Sequence, residues 1–289
     1  MKRLSAVSAL ALILLLLRPV PASANMAAPA DPDIGSSITF ERNDALAVTQ
    51  EVLDIRVTGA TAEITAVYYM VNVTDQPVST PVMFLAPNTG DGGVEVKADG
   101  ACVPCSIEQY VLGHAAQITA QDWRYAVLSR DTDPDGERVD GISFQLDFGP
   151  GETCEVSVSY PYRLGGYPAY DYNVKRGEIL YYLSQAALWR DFQSLTINLY
   201  LDRDMPVLAS SNLDFEEVGP RTYQYRSDSL PEGELEIQID QNKFQEFIGT
   251  LRSPYLLLYL IFLGPIVLLV AAIIVVPVVI RRQAKGSRR

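Results

Sequence analysis

Histidine is nearly missing from this chain: His114 is the only one in 289 residues. That excludes a His-rich metal site, and any Ser-His-Asp triad would have to run through His114. Cysteine is scarce, with three residues, Cys102, Cys105 and Cys154. The chain contains no G-x-S-x-G, no Walker loop, no H-E-x-x-H and no Gly-rich dinucleotide turn. Acidic residues are plentiful, yet spacing alone nominates no carboxylate pair for glycoside hydrolysis. No internal repeat is found.

Positive charge is thin through most of the sequence. Residues 25–252 hold 15 Lys and Arg against 35 Asp and Glu, a net charge of −20. Nothing there resembles a basic patch, so nucleic acid is not an expected partner. Divalent cations, basic peptides or plain solubility fit the acidic balance better.

Charge vanishes altogether between Tyr255 and Ile280, a run of 26 residues. A hydrocarbon core about 30 Å thick needs roughly 20 apolar residues of helix, so the run predicts a transmembrane helix over 255–280. Arg281 and Arg282 follow at once, and the 281–289 tail carries five positive charges and no negative ones. By the positive-inside rule that tail is cytoplasmic, and the lipid bilayer is a partner. At the other end, Lys2 and Arg3 precede an apolar stretch, Leu4 to Leu17, and an Ala22-Ser23-Ala24 cleavage site. Residues 1–24 therefore read as a signal peptide. The expected localisation is the cell membrane, single-pass, with the N-terminus outside.

Between these ends the pattern has period two. Leu53, Ile55 and Val57 alternate with Asp54 and Arg56. Ile142, Phe144, Leu146 and Phe148 alternate with Ser143, Gln145 and Asp147, and Leu195, Ile197 and Leu199 with Thr196 and Asn198. Such runs are strands with one face in a core and one in water. Turn signals such as Asp99-Gly100, Gly149-Pro150-Gly151 and Gly165-Gly166 separate them. The expected fold is all-β: an antiparallel β-sandwich ectodomain over 36–240, one large or two small, plus the single C-terminal transmembrane helix. Residues 25–35 read as a flexible leader and 241–254 as a juxtamembrane stalk. The stretch from Ser106 to Arg124 alternates poorly and is expected to contain a short helix.

Three stretches are candidate sites. Cys102-Val103-Pro104-Cys105 has C-x-x-C spacing, which suits a disulfide or a redox pair. The surrounding strand pattern favours a structural Cys102–Cys105 bridge, with a bridge to Cys154 as the alternative and an envelope thiol–disulfide oxidoreductase as the competing function. Asp131, Asp133 and Asp135 alternate before Gly136 as in a calcium loop. The twelfth position holds Ile142 where a bidentate Glu is needed, so Asp140 is the substitute ligand, and Ca²⁺ is the one cofactor the sequence suggests. Tyrosines 160, 162, 167, 170, 172, 181 and 182 cluster beside Gly165-Gly166. Of these, Tyr162, Tyr167, Tyr170 and Tyr172 are the candidate binding surface for a glycan or peptide. Asn72-Val73-Thr74 is a glycosylation sequon.

Two segments together, ALAVTQEVLDIRVTGATAEITAVYYMVNVTDQPVSTPVMFLAP (45–87) and ILYYLSQAALWRDFQSLTINLYLDRDMPVLASSNLDFE (179–216), resemble uncharacterised bacterial envelope proteins with a signal peptide, a β-rich ectodomain and a C-terminal helix. The resemblance implies architecture and brings no catalytic residues. The expected function is a non-catalytic one: binding, sensing or assembly, with another envelope protein or a glycan as partner.

Overall fold

The computed structural model describes residues 26–30, 37–41, 43–115, 126–129, 138–166, 175–253 and scattered positions between 256 and 273. The chain divides into two compact units, one of Met1–Tyr167 with Gly177–Asp240 and one of Pro168–Arg176 with Gln241–Arg289.

The first unit is β-rich, as the alternating pattern requires. Six strands close a barrel in the order β1 (Met26–Ala30), β2 (Ser37–Glu41), β9 (Ala126–Ser129), β8 (Cys105–Ala115), β10 (Arg138–Phe148) and β5 (Val78–Pro87). A second, nine-stranded sheet runs β16 (Glu216–Gly219), β17 (Thr222–Ser227), β14 (Ser194–Tyr200), β3 (Asn43–Thr58), β4 (Thr61–Asn72), β11 (Thr153–Arg163), β6 (Glu95–Ala98) and β7 (Ala101–Cys102). In this sheet β13 (Trp189–Arg190) also pairs with β3. A three-stranded sheet, β12 (Arg176–Tyr181), β18 (Leu235–Asp240) and β15 (Val207–Ser211), completes the unit.

Long β3 is the spine of the large sheet. Its apolar phase, Leu53, Ile55 and Val57, is buried and meets the buried Ile64, Ala66 and Tyr68 of β4 on the same face. A β-bulge lies between Val48 and Gln50, so Thr49 has no partner in the ladder. An inserted residue reverses which side chains face inward. Leu46 and Val48 are buried on one side of it, Glu51 and Leu53 on the other. Without Thr49 the two halves of β3 could not both present apolar residues to one core.

Several expectations need correction. The expected antiparallel sandwich gives way to a closed barrel with two further sheets, and β14 and β13 both pair with β3 in parallel. Local alternation cannot report strand direction, which the connections decide. Part of the supposed leader, Met26–Ala30, is a strand paired with β2 and β5. The helix expected in 106–124 is, as far as Ala115, strand β8. Residues 116–124 lie outside the described residues.

The single C-terminal transmembrane helix is also corrected. Among the described residues no helix is long and apolar enough to cross a membrane. Helix α1 (Lys243–Arg252) has ten residues and precedes the expected span; within 255–280 the described positions, 256, 261–266, 269, 270 and 273, are helical. Much of 255–280 lies outside the described residues. The single-pass membrane localisation, with its outside N-terminus, loses its structural basis along with the span. The stretch expected as a stalk is thus helical for a local reason. Asn242 Oδ1 accepts from Gln245 N at 2.9 Å, while Asn242 N donates to Gln245 Oε1 at 3.0 Å, a reciprocal capping box. Extended Ser253, which precedes Pro254, ends it.

Candidate binding cleft and the buried acid beneath it

The three-stranded sheet sets up the candidate site. Glu178, Ile179 and Leu180 of β12, Ser210 and Ser211 of β15, Asn212, and Glu236, Ile237 and Gln238 of β18 line a cleft of about 550 Å³, closed by Asn88, Tyr162 and Gly165. Alternation along β12 and β18 turns Ile179 and Ile237 into the core and leaves Glu178, Glu236 and Gln238 exposed. Neutral hydrogen-bonding groups and two carboxylates thus line the cleft, while the two isoleucine side chains belong to the core.

The cleft is held by specific bonds. Leu180 N donates to the Tyr162 hydroxyl at 2.9 Å, and Asn88 Nδ2 donates to the same oxygen at 3.2 Å. Gly165 and Glu178 exchange both backbone bonds at 2.9 Å. Asn212 Oδ1 accepts from Glu236 N at 2.9 Å, and its amide donates to the Glu234 carbonyl. Gly166, at φ +67°, lies where an added Cβ would fall 2.6 Å from Glu178 Cγ, so only glycine lets Glu178 occupy its place.

Beneath the cleft lies a polar cluster in the core. Glu51 is 0% exposed. The Tyr181 hydroxyl donates to its Oε1 at 2.8 Å, and the Tyr68 and Tyr181 hydroxyls lie 3.0 Å apart. Glu51 Oε2 has no hydrogen-bond partner, and neither does the Tyr160 hydroxyl. Burial pushes the Glu51 carboxyl up to about 7; bonds from Tyr181 and Tyr68 oppose the rise, and the negative charge of Glu234 adds to it. Burial likewise raises the Tyr68, Tyr160 and Tyr181 phenols, which stay protonated. Phe84 sits edge-on to Tyr160 at 5.5 Å and to Tyr181 at 6.3 Å, fixing both rings. The second buried acid, Glu234, accepts from Leu183 N.

The residues nominated from sequence are placed as follows. Cys102 is exposed in β7 and Cys105 opens β8, so the C-x-x-C motif bridges two sheets; both, with Cys154, are free thiols. Cys102 Sγ faces Glu95 Oε1 at 3.8 Å in a strand setting, with no helix N-terminus at the motif. Cys154 is pushed up to about 11, chiefly by burial, which holds it as a thiol. Asp140 is half-buried in β10, while Asp131, Asp133 and Asp135 lie outside the described residues. Among the described residues no group of three or more His, Cys, Asp and Glu side chains could hold a metal ion. Tyr162 is buried, so it offers the cleft a wall and not an exposed ring. Tyr167, Tyr170 and Tyr172 lie outside the described residues. Asn72 of the sequon is 0% exposed, and its amide donates to Gln76 O and Gly149 O, both at 2.8 Å. It staples a turn and is closed to glycosylation.

Of the cleft residues only Tyr162 was expected from sequence to line a binding surface; Glu51 and the others were not. Glu51 did carry a signal: it is an acid in the same phase as Leu53, Ile55 and Val57. The cleft carried none, because its three strands are remote in sequence.

No family model and no curated protein matches this sequence. Among solved structures, the chain is similar to a candidate nutrient binding protein from Legionella pneumophila, with 12% identity and a TM-score of 0.46 over 80% of this chain and 74% of that one. It is also similar to yeast LTA4 hydrolase, with 11% identity and a TM-score of 0.38, over 73% of this chain and 31% of that one. A third is an M1 zinc metallopeptidase from Deinococcus radiodurans, with 10% identity and a TM-score of 0.28, over 70% of this chain and 40% of that one. The chain thus spans less than half the length of either of the last two, and likeness at these scores assigns no activity to it.

Proposed function

We propose that this chain is a non-catalytic binding protein that takes a polyhydroxylated ligand, a saccharide, in the cleft over β12, β18 and β15. The observation that carries the reading is the lining itself. Asn88, Asn212, Gln238 and Ser210 supply donors and acceptors, and Glu178 and Glu236 supply acceptors. Vicinal hydroxyls need such mixed partners at close spacing, and a pocket of a few hundred Å³ suits a small ligand. Two chemical facts favour binding over turnover. The carboxyl shifted towards neutrality, Glu51, is wholly buried and cannot touch a substrate in the cleft. Cys154 is held as a thiol and is a poor nucleophile.

Calorimetry of the full chain against cellotriose, maltotriose and chitotriose tests the proposal. Saturable binding to at least one is expected, weakened tenfold or more by the double substitution Glu236→Gln and Gln238→Ala. Absence of saturable heat with all three, or binding that the double variant leaves intact, would overturn it.

A further inference from the structure

The cleft and the buried acids share their strands. β12 presents Glu178, Ile179 and Leu180 to the cleft, and the next residue, Tyr181, is the partner of Glu51. Two residues further on, Leu183 N is held by the Glu234 carboxylate. Glu234 in turn stands directly before β18, whose Glu236, Ile237 and Gln238 form the facing wall, and its carbonyl accepts from Asn212 of the cleft. Both walls are therefore tied from below to a buried carboxyl group.

The groups that bear on Glu51 are Tyr68 from β4, Tyr181 from β12 and Glu234 ahead of β18. From β14, the residue in register with Glu51 is the apolar Leu195. On β11 the nearest titratable neighbour of the two phenols is Tyr160. None of these is cationic. A neutral carboxyl fits this setting, whereas an ionised one would face only the phenols of Tyr181 and Tyr68, with no counter-charge and no partner on Oε2. A buried anion without a counter-charge is relieved by admitting water or moving its neighbours.

We propose that Glu51 is a proton-linked positioning residue for the cleft: when it ionises, the Tyr181 anchor shifts, and the Glu178–Leu180 wall moves with it. This regulation rests on the binding role proposed above. Protonated Glu51 holds the cleft in the form described here, and the ionised form has a displaced β12. Tyr68 relays the change to β4, and Phe84, edge-on to Tyr181, relays it to β5.

The test uses the full chain without any ligand, so its failure leaves the binding role standing, and failure of the calorimetry leaves this titration standing. Isoleucine methyl NMR spectra are recorded from pH 5 to 8.5. The Ile179 and Ile237 methyls should shift with one common midpoint near 7, and Ile107, exposed on β8, should not follow it. Glu51→Gln should abolish the shift, while Glu178→Gln should leave it in place. In the unmutated protein, infrared difference spectra should lose a protonated carboxylic C=O band at the same midpoint, a reading that does not need the variant to fold. A shift that survives Glu51→Gln, or a carboxyl band whose midpoint differs from that of Ile179, would overturn the proposal.

Discussion

Glu51 shows how one misplaced polarity is tolerated at the scale of a residue. Its neighbours in phase are Leu53 and Ile55, and its carboxyl is accommodated by remaining protonated and by accepting from Tyr181. The consequence for stability has a definite sign. Burial lifts the folded carboxyl from 4.5 to about 7, so between those values the native state keeps a proton that the unfolded chain has released. Stability therefore falls as pH rises through that window and levels off above it. At about 1.4 kcal/mol per unit, the loss is on the order of 3 kcal/mol. Glu51→Gln should flatten this slope and be the more stable protein at pH 8. Urea melts at pH 5 and pH 8 measure it, and an unchanged slope in the variant would place the titration elsewhere.

At the scale of the element, close approach and turn chemistry decide what is tolerated. Asp99 and Gly100 both take positive φ, +49° and +80°, as the two-residue hairpin between β6 and β7 requires. Gly141 in β10 is demanded by packing instead. Tyr110 of β8 lies over it, and an added Cβ would meet the ring at 2.7 Å and Met83 sulfur at 3.1 Å. The Tyr110 hydroxyl is itself anchored by donating to Glu108 at 2.8 Å, which limits how far the ring can yield. Gly141→Ala should cost about 1–3 kcal/mol through overpacking. Gly93→Ala, where nothing lies within 4 Å, is the control and should be nearly neutral. Thermal melts of the two variants separate the cases, and equal melting temperatures would mean that Tyr110 moves aside freely.

On the scale of the whole molecule, the spine strand β3 is completed by a distant partner. Gln50 to Arg56 pair in parallel with Ser194 to Tyr200, and Trp189 joins β3 near Asn43. Closing so long a loop before any reward from the contact slows folding. Refolding followed by the fluorescence of the buried Trp189, in a Trp123→Phe background, should therefore proceed over seconds or longer. Recovery of the native signal within a few milliseconds would mean that β14 docks on β3 before the rest of the sheet forms.

The alternating runs of this chain determined its β-rich class, most strand positions and many turns, because the faces of a strand are written in nearest-neighbour polarity. Ile142 to Phe148 and Leu195 to Leu199 face the core in the phases their apolar residues dictate. The sequence also held the one clue to the buried acid, a carboxyl in the apolar phase of β3. Tertiary structure alone decided the rest. Strand direction, the barrel closure and the parallel β3–β14 pair depend on which segments meet, and alternation is the same for either direction. The cleft needs β12, β15 and β18 side by side, a proximity that no local pattern encodes. Tyr162 and Asn72 looked like surface residues by type, yet each is buried with its polar atoms bonded, because the fold supplied Leu180, Asn88, Gln76 and Gly149 as partners. Composition sets what a side chain can do; only the surrounding fold decides whether it faces water or the core.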